Sequence, residues 1–288
     1  MLLITGITGL TGRFLYEELL DKKKKFKCLV RKSSGIKSLR DYKNVEFVYG
    51  DVANEKDIIN ALEGVNEVIH MVNIRYSSQI IKACKFCGVK RVVFVSTTGI
   101  YSKYRNCSSL YKKLEEEIFN SGLDYTIIRP TMIYGNEQDK NIHKLVKIVN
   151  KYPIFPIPGK GENLVQPIHA KDLASVIVKA CCEKRSIKQA YNVAGKEPIT
   201  FKNLIYQIAN ALNKKIKIVH IPYKVALVAG KIGDIIPNSL IKYERVLRLL
   251  EDKNFDYRKA KEELGFSPMS FEEGIKLEIE ALRKSGVI

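Results

Sequence analysis

The sequence predicts an α/β fold: a parallel sheet covered by helices on both faces, followed by a smaller C-terminal lobe. Three observations predict it. Short runs rich in Val, Ile or Phe alternate with helix-like segments along the first half of the chain. A glycine triplet separates the first run from the first helix. After about Gly135 the alternation loosens, and Pro153, Pro156, Pro158, Gly159, Gly161 and Pro167 crowd one stretch. Alternation of this kind builds βαβ units, whose crossover helices bury both faces of the sheet.

In chain order, the first strand is expected over 1–5 and breaks at Gly6. Phe14, Leu15, Leu19 and Leu20 then mark the apolar stripe of a helix over 11–22. Lys22–Lys25 follow at its end, where cations suit the helix dipole. Further strands are expected over 26–31, 45–49, 66–72, 91–96 and 124–129, with helices near 55–63, 76–87 and 108–121. The later part predicts helices near 171–182, 200–213, 240–250 and 270–284, and the Leu/Ile/Val stripe of 240–250 reads as core. Ligands of such sheets bind at the carboxyl ends of the strands, so the second lobe should cap that edge.

The first turn carries the chemistry. In Thr5-Gly6-Ile7-Thr8-Gly9-Leu10-Thr11-Gly12 each glycine has a physical use. Gly6 allows a tight turn, Gly9 lets backbone approach a pyrophosphate, and Gly12 permits close helix–strand packing. The helix N-terminus supplies free N–H groups and a positive dipole end. Placed between strand and helix, the triplet reads as a dinucleotide site, with Gly6, Thr8, Gly9, Leu10, Thr11 and Gly12 as the loop. A carboxylate ending the second strand would bind a ribose 2′-hydroxyl, but the chain has Arg31 and Lys32 there. A guanidinium suits a 2′-phosphate, so NADP is preferred over NAD. Asp51 and Val52 close the third strand; Asp51 reads either as an acceptor for an adenine amino group or as a turn aspartate.

Composition excludes several classes. The chain has 288 residues, 45% hydrophobic, enough for a sizeable core. Its net charge is +18, but lysine is spread along the whole length and Lys22–Lys25 is the one tight run. That pattern reads as a solvated basic surface, with no motif for specific nucleic-acid binding. No run approaches the ~20 apolar residues of a membrane span, and no secretory signal is visible, so a cytoplasmic location is expected. Six cysteines include Cys84-x-x-Cys87, a single pair where a structural zinc needs four ligands; reduced thiols and no metal site are expected.

Several segments then line up with one family. They are Thr5–Gly12, Gly50-Asp51-Val52, Val68–Val72, Phe94–Tyr101, Ile128–Gly135, Gln166–Ala174 and Glu263–Pro268. In content and order they resemble the extended short-chain dehydrogenase/reductase superfamily, in its NAD(P)-dependent epimerase/dehydratase branch. The resemblance implies a doubly wound Rossmann domain over 1–150, of about seven strands, to which 166–195 returns, and a substrate lobe over 151–288. It implies a cofactor pocket lined also by His70, Met71, Val72, Ser96, Pro130, Thr131 and Ile133, with His70 contributing its backbone. Substrate candidates are Thr98, Arg129, Asn163, Gln166 and His169, the last reading mainly as a structural hydrogen-bonding group before Asp172.

Family chemistry uses a Ser/Thr, a Tyr and a Lys four residues after the Tyr, the phenol exchanging a proton with substrate while hydride moves. The first falls on Thr97; the lysine falls on Lys113, also a cofactor contact, if Glu117 is the glutamate that follows it. The tyrosine position is then Ser109, a far weaker acid than a phenol. Tyr111 is the nearest substitute, with Tyr101 and Tyr104 in the preceding loop; Tyr257…Lys261 lies in the C-terminal lobe and reads as chance. Nucleotide-sugar members carry an arginine where this chain has Val165, and Lys160 nearby offers only a point charge. The pattern is similar to an atypical group that includes an accessory subunit of respiratory complex I. Two readings follow: an NAD(P)-dependent oxidoreductase or epimerase acting on a hydroxyl or carbonyl of a small molecule, nucleotide sugars included, or a non-catalytic NAD(P)H-binding sensor or assembly subunit. A homodimer through 76–87 and 108–121 is expected by analogy.

Overall fold

The computed structural model describes residues 1–36, 39, 43–139, 141–236 and 242–288. The first half runs β1 (Leu2–Thr5), α1 (Leu10–Asp21), β2 (Phe26–Val30), β3 (Val45–Tyr49), α2 (Glu55–Ala61) and β4 (Glu67–His70). It continues with α3 (Ser77–Cys87), β5 (Arg91–Val95), α4 (Ser108–Phe119) and β6 (Asp124–Pro130). Then come β7 (Ile133–Tyr134), α5 (Ile142–Lys151), β8 (Ile154–Pro158), β9 (Leu164–Val165), β10 (Ile168–His169), α6 (Ala170–Cys182) and β11 (Gln189–Val193). The chain closes with β12 (Ile199–Thr200), α7 (Phe201–Ala211), β13 (Lys217–Ile221), α8 (Tyr223–Ile235), α9 (Tyr243–Leu247), α10 (Arg258–Leu264) and α11 (Phe271–Lys284).

Seven strands form one parallel sheet in the order β11-β6-β5-β4-β1-β2-β3. Alternation along each strand sorts side chains between two cores. Leu2 and Ile4 of β1 join the core under α1 and α6, whereas Leu3 joins the core under α2, α3 and α4. The same division separates Cys28 from Leu29 and Val93 from Phe94. The order reverses direction between β1 and β4, and that switch point leaves a crevice at the strands' carboxyl ends.

A third core, made by α5, α7 and α11 with Tyr134, Phe155 and Ile157, lies in the second lobe. It corrects the expected boundary at 150, because Ile142, Val146 and Val149 of α5 pack there rather than on the sheet. In the opposite sense, Ala260 and Leu264 of α10 pack with α6 and β11 in the first core, so 151–288 is not one uninterrupted lobe. Residues 240 and 241 of the expected helix over 240–250 fall outside the described residues. The remainder forms α9 and a 3-10 turn over Arg248–Leu250, with Val246 buried and Leu250 half-exposed, so the stripe is only partly core. Neither α8 nor α10 is among the expected helices. The first exposes its large apolar residues, and the second is only seven residues long.

Candidate cofactor cleft and active site

The crevice begins at the β1–α1 turn. Gly6 has φ +86°, a conformation favouring glycine, and a Cβ there would press within 3.1 Å of the Met71 and Val72 backbone across the switch point. Gly12 is tighter still, since a Cβ would overlap the carbonyl oxygens of Gly6 and Ile7. Gly9 differs: a Cβ would meet only the Gly6 carbonyl oxygen, at 3.4 Å. No side chain caps α1, whose N-cap is Gly9, so its first-turn N–H groups face outward with the positive dipole end. Thr8 and Thr11 flank that turn, half-buried. An unguarded turn with uncapped amides fits a pyrophosphate.

Arg31 and Lys32 stand exposed just beyond β2. Asp51 serves its own turn: its N–H donates to Asp57 Oδ2 at 2.8 Å, and its Oδ1 accepts from the Ala53 N–H at 2.9 Å. Val52 is buried in the core beside it. His70 is fully buried at the end of β4, where its Nδ1 and the Thr5 hydroxyl share a 2.8 Å hydrogen bond. Burial pushes its pKa down to about 4, so the ring is neutral and withdrawn from solvent.

Beyond β5 and β6 a polar network occupies the carboxyl edge. Arg129 Nε and Nη2 both donate to the Glu115 carboxylate, and the Ser96 hydroxyl donates to Glu115 Oε1 at 2.5 Å. The pair is buried, with side-chain exposures of 13% for Arg129 and 3% for Glu115. Arg129 Nη1 donates to the Tyr101 oxygen at 3.0 Å, and the Tyr101 hydroxyl donates to Asn192 Oδ1 at 3.2 Å. Tyr101 also stacks on Phe255.

This network overturns part of the sequence reading. Glu115, not Glu117, is the inward glutamate of α4, and it fixes the helix's rotation. Lys113 lies about 200° round the helix from Glu115 and is exposed. Glu117, equally far round, is exposed and accepts from the Ser78 hydroxyl on α3. The row one and two turns before Glu115 carries Tyr111 and Cys107. Tyr111 is buried beneath the Arg105 guanidinium, 5.0 Å from its ring, and Cys107 Sγ accepts from Arg75. Lys113 therefore faces away from the cleft, and Ser109 is exposed as well.

Other expected contacts are already committed to protein. Ser96 and Arg129 are engaged by Glu115. The Thr98 hydroxyl donates to the Pro130 carbonyl at 3.1 Å, and Thr131's to the Gln166 carbonyl at 2.5 Å. Gln166 is spent at both ends, its amide nitrogen on the Gly195 carbonyl and its oxygen on the Phe255 N–H. His169 caps α6, its Nδ1 accepting from the Lys171 N–H at 3.1 Å, with its ring packed edge-on against Phe14 and Tyr134. Burial pushes its pKa down to about 4. Thr98, Arg129 and Gln166 thus hold protein partners in the cleft's frame, while His169 keeps a buried Nε2 without one. Asn163 keeps a buried amide nitrogen without a partner, Ile133 is half-buried, and Thr97 accepts from the Gly99 N–H at 3.0 Å.

Sequence reasoning missed Glu115, Asn192 and Glu251. Glu251 accepts from the Ser102 hydroxyl and from the N–H groups of Lys103 and Tyr104, tying the loop after β5 to the second lobe. A signal for Glu115 exists in its spacing: with Tyr111, Leu114 and Ile118 it completes one helical stripe.

A family model described as NAD(P)H-binding matches residues 6–184, which run from the open turn after β1 through α6. The chain belongs to this NAD(P)H-binding family. Among relatives of the family member described here is an N-acetyl-α-D-glucosaminyl-diphospho-ditrans,octacis-undecaprenol 4-epimerase of Escherichia coli O157:H7, 21% identical over 78% of this chain and 80% of that protein. Another is a mitochondrial NADH dehydrogenase [ubiquinone] 1 alpha subcomplex subunit 9 of Dictyostelium discoideum, 26% identical over 71% of this chain and 62% of that protein. Among solved structures, a UDP-glucuronic acid 4-epimerase from Bacillus cereus, in complex with UDP-glucuronic acid and NAD, superposes with a TM-score of 0.77. That likeness covers 99% of both chains at 18% identity and shows a shared fold. The fold is the Rossmann-like one shared with that structure, and the ligand of the family model is NAD(P)H.

Proposed function

We propose that this chain is an NADP(H)-dependent oxidoreductase acting on a hydroxyl or carbonyl of a small molecule held between the sheet's carboxyl edge and the second lobe. The observation that carries the reading is a phenol fixed by a cation at the edge that also carries the unguarded turn of α1. When bound, the nicotinamide supplies or accepts the hydride. The first-turn amides of α1 hold the pyrophosphate, and Arg31 with Lys32 takes the 2′-phosphate. Tyr101 exchanges the proton with the substrate oxygen, in the place of the tyrosine that Lys113 and Ser109 do not provide. Arg129 positions the Tyr101 oxygen, and Thr97 keeps a hydroxyl proton to orient the substrate. The relatives put diphosphate-linked sugars among the candidates, while Val165 favours the wider class of hydroxyl and carbonyl compounds.

Calorimetry with NADPH and NADH tests the cofactor, and NADPH oxidation over a panel of carbonyl compounds and nucleotide sugars tests turnover. Wild type is expected to prefer NADPH, and Arg31→Ala to lose that preference. Tyr101→Phe is expected to cut turnover by ~10²-fold or more with cofactor affinity unchanged. No affinity for either nucleotide would end the reading. The exposed Lys113 favours a second one, a cofactor-binding sensor or assembly subunit. Tight NADPH binding with silence across the panel would select it. Phe86, Leu110 and Phe119 stand exposed on α3 and α4, a face suited to a second copy of the chain, which sedimentation would reveal.

A further inference from the structure

We infer that α8 docks the protein onto an anionic membrane surface, its apolar stripe entering the lipid interface while neighbouring lysines meet lipid phosphates. The inference is independent of the cofactor reading.

The helix is built inside out. Its inward positions are Ala226, Gly230 and Gly233, and Gly230 lets the Tyr243 backbone of α9 approach so closely that a Cβ would lie 2.9 Å from its Cα. The large apolar residues face solvent: Val225 is 56% exposed, Val228 58%, Ile232 55% and Ile235 84%. Their spacing of three and four residues aligns them as one stripe along the helix. A helix that serves only to cover a core places such residues the other way round. Scattered exposed apolar side chains are ordinary, but a continuous aliphatic stripe marks a contact surface.

Charge selects the occupant. Lys224 and Lys231 are exposed on the same helix. From residue 214 to 248 eight Lys or Arg residues stand against only Asp234 and Glu244. A second copy laid stripe to stripe would bring those lysines together in a chain of net charge +18. Nucleic acid would meet the charge but leave the aliphatic stripe in water. An interface of anionic lipid satisfies both: an apolar face enters the acyl boundary and basic residues sit at the phosphates. No helix of the described residues is long and apolar enough to cross a membrane, so the contact is one of lying on the surface.

Helix α8 is also linked, through α9, to the loop that follows Tyr101. The Tyr223 hydroxyl of α8 donates to the Val246 carbonyl of α9, and Glu251, just beyond α9, holds the loop that follows Tyr101.

Flotation of the full chain with vesicles of phosphatidylcholine, alone or with a third phosphatidylglycerol, tests this, with NADPH affinity and sedimentation measured on the same samples. Wild type is expected to float with the anionic vesicles only. Replacing Lys224 and Lys231 by Gln should weaken partitioning about fivefold per lysine. Val228→Ser with Ile232→Ser should abolish flotation without changing the melting temperature, the NADPH affinity or the oligomeric state. The inference is overturned if wild type ignores anionic vesicles, if the apolar double variant floats as well as wild type, or if that variant instead dissociates an oligomer. It is equally overturned if the stripe is needed only to retain an acidic protein partner. Vesicle binding by a chain that ignores NADPH would leave it standing and remove only the proposed activity.

Discussion

Two glycines three residues apart separate folding from binding. A methyl at Gly12 would collide with the Gly6 and Ile7 carbonyls, which belong to backbone and do not yield. Gly12→Ala is therefore expected to cost about 1–3 kcal/mol by overpacking, read as a lower urea midpoint at unchanged slope. A methyl at Gly9 meets one oxygen at ordinary contact distance, so Gly9→Ala should keep its midpoint and lose NADPH affinity, as calorimetry would show. Glu115 is the third decisive residue. Removing it leaves the Arg129 guanidinium buried without its counter-charge, and Glu115→Ala should lose about 3–5 kcal/mol of unfolding free energy. Pairing it with Arg129→Met should recover part of that loss, the signature of two coupled groups. The glycines were legible in the sequence because spacing alone reports a tight turn. Glu115 is harder to read: among three consecutive glutamates at 115–117, its place in the stripe of Tyr111, Leu114 and Ile118 is the one signal that it turns inward.

At the scale of elements, the loop carrying Tyr101 is fastened by one carboxylate. Glu251 receives the Ser102 hydroxyl and two successive backbone N–H groups, and the segment over 102–104 has few apolar anchors of its own. Glu251→Ala should speed amide exchange at Lys103 and Tyr104 and lower kcat with little change in melting temperature. Unaltered exchange there would show the loop to be held by other contacts. Six strands of the sheet, β1 to β6, are legible to within about two residues, because buried parallel strands are runs of Val, Ile and Phe, whereas the edge strand β11, Gln-Ala-Tyr-Asn-Val, is not. The outward facing of α8 is not legible, because periodicity locates a stripe but says nothing of which way it faces. The lysine assignment failed for a related reason: counting from Glu117 instead of Glu115 carries a residue from the cleft to the solvent face.

For the molecule as a whole, buried titratable groups shape stability against pH from both sides. His70 and His169 are lowered from 6.5 to about 4 by burial. The unfolded chain therefore takes up their protons first, and their contribution is complete above pH 6.5 and lost as pH falls towards 4. Each is worth roughly 3 kcal/mol over that window. Glu278 runs the other way, raised from 4.5 to about 9 by burial and by Asp139 beside it. The unfolded chain loses that proton first, so stability declines as pH rises from 4.5 to about 9. Two histidines outweigh one carboxyl on the acid side, which puts the maximum melting temperature near pH 6.5. Calorimetry across pH should show Glu278→Gln flattening the decline above pH 6.5 and steepening the rise between pH 4.5 and 6.5, so that the maximum moves to higher pH.

The backbone passes between the sheet's cores and the second lobe's core five times: after β6, before α6, after β11, before α10 and before α11. Each passage stitches the halves along a common seam. A fragment ending near residue 150 would lack α6, β11 and α10, leaving the flank of α1 and the outer edge of β6 bare. Scission within the middle of the chain would tear both halves at once. Shedding one lobe to release the other is closed to this architecture, and whatever control acts on the cleft must work on an intact chain.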